Sequence, residues 1–246
     1  MFLGLPLVAL VARGLGSAGF LDGLTSDMAI QALRLSAVTG ILSLVIIVAV
    51  GTPLAYTLAR RRSRFYRFVD AVVELPIVLP PVVLGVALLM AFGRRGVLGP
   101  SLELLGIAIP FTTTAVVLAQ VAVAGPFYIR AAKLGFQAVL PDLEDVSNTP
   151  GVSPWHTFWR VTVPLAWPGL VGGAALALAR ALSEFGATIM FAGNFQGRTQ
   201  TMPLAIMSAM EVNLSSALAL SVLLLAVSLA ILGGLTAVAR IQDGRR

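Results

Sequence analysis

The chain has 246 residues, of which 58% are apolar and 11% charged, and its formal net charge is +6. Soluble proteins carry about 25% charged residues, so a water-soluble domain of this size could not bury so much apolar surface. The composition excludes an ordinary soluble protein and predicts an integral membrane protein, and the absence of cysteine excludes disulfides and cysteine metal sites.

Apolar segments follow one another along the chain and predict about six membrane helices. Residues 1–12 form a short first segment, which we interpret as part of a helix rather than as a signal peptide. Four later segments contain no charged residue and are long enough to cross about 30 Å of hydrocarbon. They are residues 35–59, 104–129, 161–179 and 212–239.

One further segment, residues 71–92, is apolar apart from Glu74 and contains three prolines. Proline frees backbone carbonyls that neighbouring helices must then satisfy in lipid. We therefore expect this helix to be kinked and buried against others. The sequence predicts one all-α transmembrane domain over residues 1–246.

The arginines predict the orientation of these helices. Five of them lie between Arg60 and Arg67, and basic loops stay on the cytoplasmic side of a membrane. That assignment places the 130–160 loop and both termini in the cytoplasm, and it places Arg34 in an outer loop. The positive charge thus follows membrane topology and does not predict nucleic-acid binding. We expect a multi-pass protein of the plasma (inner) membrane.

The longest inner loop, residues 130–164, combines acidic residues with Trp155, Phe158 and Trp159. An acidic amphipathic segment is unsuited to an anionic lipid surface and favours a protein partner. The segments Leu143-Glu144-Asp145-Val146-Ser147-Asn148-Thr149-Pro150-Gly151 and Phe158-Trp159-Arg160-Val161-Thr162-Val163-Pro164-Leu165 resemble the coupling (EAA) loop of ABC-importer permeases.

That resemblance implies the binding-protein-dependent, MetI-like permease fold, with a coupling loop at about residues 142–164 seated in an ATPase subunit. It also implies that Glu144, Asp145, Gly151 and Pro164 couple this chain to the ATPase. The chain carries no Gly-Lys-Ser/Thr sequence for binding ATP phosphates, and its single lysine is Lys133. The resemblance therefore assigns ATP to a partner subunit, and we expect neither an enzyme nor a cofactor or metal on this chain.

A second stretch, residues 179–206, contains Ala179-Arg180-Ala181-Leu182-Ser183-Glu184-Phe185-Gly186-Ala187-Thr188. It resembles the oxyanion branch of these permeases, most of all the molybdate and tungstate permeases, with sulfate permeases close behind. Arg180, Glu184 and Thr188 are candidate pore or gate residues. Arg180 and Glu184 are also spaced to neutralise each other on one helix face, and the sequence leaves both interpretations open.

The resemblance implies a homodimer that works with two ATP-binding cassette subunits and an extracytoplasmic oxyanion-binding protein to import molybdate or tungstate. Import of sulfate or thiosulfate is the nearest alternative. A secondary transporter would need more ionisable groups within the membrane segments. A membrane enzyme would need a nucleophile and base or metal ligands, for which one histidine, His156, and no cysteine are a poor basis.

Overall fold

The computed structural model describes residues 4–17, 19–140, 142–143 and 153–243. Within these ranges the chain is helical and contains no strand. The helices are α1 (Gly4–Leu15), α2 (Phe20–Thr25), α3 (Asp27–Arg60), α4 (Arg64–Val78), α5 (Pro81–Phe92), α6 (Gly99–Leu104), α7 (Thr113–Gln137), α8 (Pro154–Thr157), α9 (Val163–Leu182), α10 (Gly186–Ala192), α11 (Met202–Val212) and α12 (Leu214–Asp243), with a π-helical turn at Phe158–Thr162 between α8 and α9.

Four helical runs in the described part of the chain are long and apolar enough to cross a membrane: α3, α7, residues 154–182 and the 214–231 part of α12. Helices α4 and α5 form a fifth candidate span, bent by 119°. Two shorter apolar helices, α1 with 12 residues and α11 with 11, are below this length, so the described residues give up to five candidate spans where about six were predicted. The predicted all-α membrane fold is therefore confirmed.

Helix α7 is the centre of the bundle, because 61% of its most apolar window is buried inside the chain. It packs against α3 and α9 around Tyr128 and Phe136, which are both almost fully buried. Its first half packs against α5 and α10 around Phe191. A separate core joins α3, α11 and α12 around Met202 and Leu220.

Glycines bring the last turns of α7 into backbone contact with the first half of α9. A Cβ atom added to Gly169 would lie 2.7 Å from the Cα of Gly135, and one added to Gly173 would lie 3.0 Å from the Cβ of Ala131. Small residues allow such close approach, which is the usual way to pack helices in lipid. The helices on either side of the 138–162 segment are thus in close contact near that segment.

The proline-rich segment 71–92 differs from the expected single kinked helix. Leu79 and Pro80 are extended, with ψ of 137° and 133°, because a residue that precedes proline is kept out of the helical region. The segment therefore divides into α4 and α5. The expectation of burial is wrong for α4, in which no residue is buried within the chain.

The ends of α7 differ from the charge-free segment 104–129. Residues 105–112 are not helical, and Gly106 and Phe111 have positive φ of 69° and 61°. Thr112 then caps the helix by accepting a hydrogen bond from the Ala115 amide at 3.3 Å. At the other end α7 continues past Ile129 to Gln137. Arg34, expected in an outer loop, lies inside α3.

Candidate functional site

Two short helices, α5 and α10, pack against each other inside the bundle. Each follows a break in the chain, α5 after α4 and α10 after α9. A Cβ atom added to Gly85 of α5 would lie 2.8 Å from the Cα and carbonyl oxygen of Ala187 in α10. A Cβ atom added to Gly186 would lie 3.0 Å from Val82 and 3.2 Å from Pro81. The backbones are therefore in contact at the beginnings of both helices, next to the two breaks in the chain.

The ion pair predicted from the sequence forms at the break between α9 and α10. The Nη2 atom of Arg180 lies 2.8 Å from the Oε2 atom of Glu184. Helix α9 ends at Leu182, so Glu184 stands beyond the helix, and the two side chains meet across its end. The Glu184 side chain is fully buried, whereas that of Arg180 is 25% exposed.

Glu184 also caps the helix that follows it. Its Oε1 atom accepts a hydrogen bond from the backbone amide of Ala187 at 2.7 Å, in the first turn of α10, where amides have no partner inside the helix. One carboxylate therefore neutralises Arg180 and fixes the start of α10. Burial of a charged carboxylate is costly unless both its oxygens have such partners.

Thr188 lies one turn after Glu184 and is fully buried within the chain. Among the described residues its hydroxyl oxygen has no hydrogen-bond partner. Glu184 and Thr188 are therefore both buried at the α9–α10 break. Arg180 is the one partly exposed residue of the three candidates. Their assignment to a pore or gate stays a prediction.

Polar side chains that the sequence reasoning missed surround the loop between α10 and α11. The Thr113 hydroxyl donates to the carbonyl oxygen of Arg198 at 2.9 Å, and the Met202 amide donates to the Ser36 hydroxyl at 2.8 Å. Asn194 and Gln200 both donate to the hydroxyl oxygen of Ser208. These bonds attach the loop to α7 and α11, and the first residue of α11 to α3.

A second missed cluster joins α4 to the C-terminal half of α7. The ammonium group of Lys133 lies 2.6 Å and 2.8 Å from the two carboxylate oxygens of Asp70 and 3.5 Å from Glu74. The Lys133 side chain is 13% exposed. Because α4 buries no residue of its own, this ion pair is a main link between α4 and the bundle.

Three of the four predicted coupling residues, Glu144, Asp145 and Gly151, lie outside the described residues. Pro164 lies at the beginning of α9, exposed, directly after the π-helical turn. At the start of that turn, Phe158 packs edge-on against Tyr56 of α3 with ring centroids 5.1 Å apart. Phe158 also contacts Phe136 of α7. The entry into α9 is thus fixed by aromatic contacts to two other membrane helices.

Several long apolar helices, with the α5–α10 contact and the Arg180–Glu184 pair among them, indicate a multi-pass membrane protein. The chain belongs to the family described as binding-protein-dependent transport system inner membrane component, which matches residues 51–242. The family assignment confirms the fold and family predicted from the sequence.

Curated relatives match most of the chain. It is 44% identical over 234 residues to the molybdenum transport system permease protein ModB of Mycobacterium tuberculosis, which covers 95% of this chain and 88% of the relative. It is 38% identical over 187 residues to the protein of the same name from Azotobacter vinelandii, which covers 76% of this chain and 83% of the relative.

Two solved structures share the fold at low sequence identity. A chain of a bacterial alginate ABC transporter, in complex with an alginate-bound periplasmic protein, superposes with a TM-score of 0.80 at 17% identity and covers 98% of this chain and 90% of that one. A chain of the MetNI methionine ABC transporter superposes with a TM-score of 0.64 at 21% identity, covering 96% and 98%. These similarities concern the fold alone.

Proposed function

We propose that this chain is the membrane subunit of an ATP-driven importer that moves molybdate or tungstate into the cytoplasm. The observation that carries the proposal is the 44% identity to a molybdenum transport permease across 95% of the chain. The similarity includes the break between α9 and α10, where the sequence independently resembles oxyanion permeases. No covalent chemistry is assigned to this chain.

The chain acts, in this proposal, as a homodimer with two ATPase subunits and an extracytoplasmic binding protein. Within one copy, only 17% of the most apolar window of α12 and 28% of that of α3 are buried. Wide apolar faces of these two helices are therefore left uncovered by the chain itself. One such chain has too few helices to enclose a path for a hydrated oxyanion. In this proposal both termini and the Arg60–Arg67 loop lie in the cytoplasm, as the arginine distribution predicts.

The path in this proposal runs beside the α5–α10 pair. Val82, Val83 and Val86 of α5 are exposed within one copy and carry no charge, and Arg180 is neutralised by Glu184 at 2.8 Å. A lone cation in a low-dielectric path would hold a dianion too strongly for release. Arg180, Glu184 and Thr188 accordingly set the position of the gate without forming a high-affinity anion site.

Coupling to ATP is assigned to Glu144, Asp145, Gly151 and Pro164. Closure of the ATPase pair would draw the coupling loops of the two copies together, and α9 would transmit that movement to the break at Ser183. The close contact of Gly135 with Gly169 supports this route, because it makes α7 and α9 move together.

Uptake by proteoliposomes tests the proposal. The purified complex of this chain with its ATPase is reconstituted with ATP inside, and labelled molybdate, tungstate and sulfate are supplied with and without the binding protein. We expect ATP-dependent uptake of molybdate or tungstate that needs the binding protein. Preference for sulfate would favour the alternative permease class, and rapid uptake without the binding protein, or of a metal cation, would contradict the proposal.

A further inference from the structure

A charged cavity of about 430 Å³ lies where the end of α3, the beginning of α4 and the end of α7 come together. It is outside the α5–α10 region and outside the coupling loop. Its polar lining includes Arg61, Arg62, Tyr66, Arg67, Asp70 and Lys133.

The charges that line this cavity do not cancel. Lys133 and Asp70 neutralise each other through contacts of 2.6 Å and 2.8 Å. The Arg61 guanidinium lies over the Tyr66 ring, 5.8 Å from its centroid. In the part of the chain that the structure describes, no carboxylate pairs with Arg61, Arg62 or Arg67. Three positive charges therefore face one small space, an arrangement that suits a phosphate group.

The surrounding residues place the cavity at the level of lipid headgroups. Arg61 and Arg62 follow almost directly after the charge-free segment 35–59, so they stand where the hydrocarbon ends. Phe65 and Phe68 are 66% and 67% exposed on the neighbouring part of α4. Trp155 and Trp159, at the same end of the bundle, are also exposed. Aromatic side chains in such numbers are typical of a membrane interface.

We propose that this cavity binds the phosphate headgroup of an anionic phospholipid from the inner leaflet. Arg62 and Arg67 contact the phosphate, Arg61 is held in place by Tyr66, and the acyl chains extend into the bilayer beside α4. The bound lipid would strengthen the attachment of α4 to α7, because α4 buries no residue of its own and depends here on the Lys133–Asp70 pair.

Native mass spectrometry of the permease–ATPase complex, purified in detergent with added phosphatidylglycerol, tests this site. The cavity variant is Arg62→Gln/Arg67→Gln. A matched control, Arg95→Gln/Arg198→Gln, removes the same charge at two exposed arginines that lie outside the Arg60–Arg67 cluster and do not line the cavity. A basic residue near an anionic surface contributes about fivefold to binding, so we expect the cavity variant to bind phosphatidylglycerol about 30-fold more weakly. The control and Arg62→Lys/Arg67→Lys should retain the lipid.

Competition separates a lipid from other ligands. Inorganic phosphate or molybdate added at tens of millimolar should leave the bound phosphatidylglycerol in place, and phosphatidylcholine should not replace it. Displacement by either free anion would overturn the proposal in favour of a soluble-oxyanion site. Equal retention by both Gln variants would also overturn it, as would loss of the ATPase subunit from the cavity variant, which would make the arginines a protein interface.

Discussion

Glu184 holds two groups at once in the break between α9 and α10. One oxygen lies 2.8 Å from the Arg180 guanidinium, and the other accepts the Ala187 amide at 2.7 Å. Removal of one partner from a buried ion pair is far more costly than removal of both, because a lone buried charge has lost its solvation. The pair should therefore behave as a unit in mutagenesis.

We predict that Arg180→Met destabilises the folded chain by about 3–5 kcal/mol, because it leaves the Glu184 carboxylate buried without its cation. The double variant Arg180→Met/Glu184→Gln should recover most of that loss. Thermal unfolding of the purified protein in detergent measures both. Glu103→Gln, which removes the exposed partner of Arg94, is the control and should change stability by less than about 1 kcal/mol. If the single and double variants unfold at the same temperature, the two residues are not coupled.

At the scale of elements, the contact between α5 and α10 depends on Gly85. Any side chain there would overlap the backbone of Ala187, since the nearest atoms are 2.8 Å from an added Cβ. Backbone atoms cannot rotate away as the end of a flexible side chain can, so the two short helices would have to separate.

We predict that Gly85→Ala destabilises the protein by about 1–3 kcal/mol, the usual cost of overpacking, and strongly reduces ATP-dependent uptake. Gly172→Ala in α9 is a matched control, because an added Cβ there meets nothing within 4 Å of the same chain. It should be neutral or slightly stabilising. Wild-type stability and transport in Gly85→Ala would show that the close contact of α5 with α10 is not needed.

The sequence predicted the membrane segments well, because lipid excludes charged residues and the charge-free segments are conspicuous. It predicted their ends poorly. Residues 105–112 are mostly apolar yet not helical, since two residues there have positive φ. The Arg180–Glu184 pair was predictable from its spacing. The Thr113–Arg198 and Lys133–Asp70 contacts join residues 85 and 63 positions apart, so no local pattern could indicate them.

At the scale of the whole molecule, the two ends of α7 lie among residues of different composition. The Thr113 end contacts the 193–201 loop through Arg198, and the Lys133 end faces the arginine-rich cavity between α3 and α4. With 25 residues, α7 places these ends about 37 Å apart, at a rise of about 1.5 Å per residue. That length is enough to cross about 30 Å of hydrocarbon, so we expect the two ends to lie on opposite sides of the membrane.

We predict that a cysteine at Gln196 is labelled by a membrane-impermeant maleimide in intact cells, whereas a cysteine at Ser63 is labelled only after the membrane is opened. Both positions are exposed, so access to the reagent decides the result. The physical reason is the cluster of five arginines from Arg60 to Arg67, which resists translocation and keeps that loop in the cytoplasm. The parent chain contains no cysteine and supplies the blank. Labelling of Ser63→Cys from outside, as fast as that of Gln196→Cys, would reverse the proposed orientation and move the coupling loop to the wrong side for ATP.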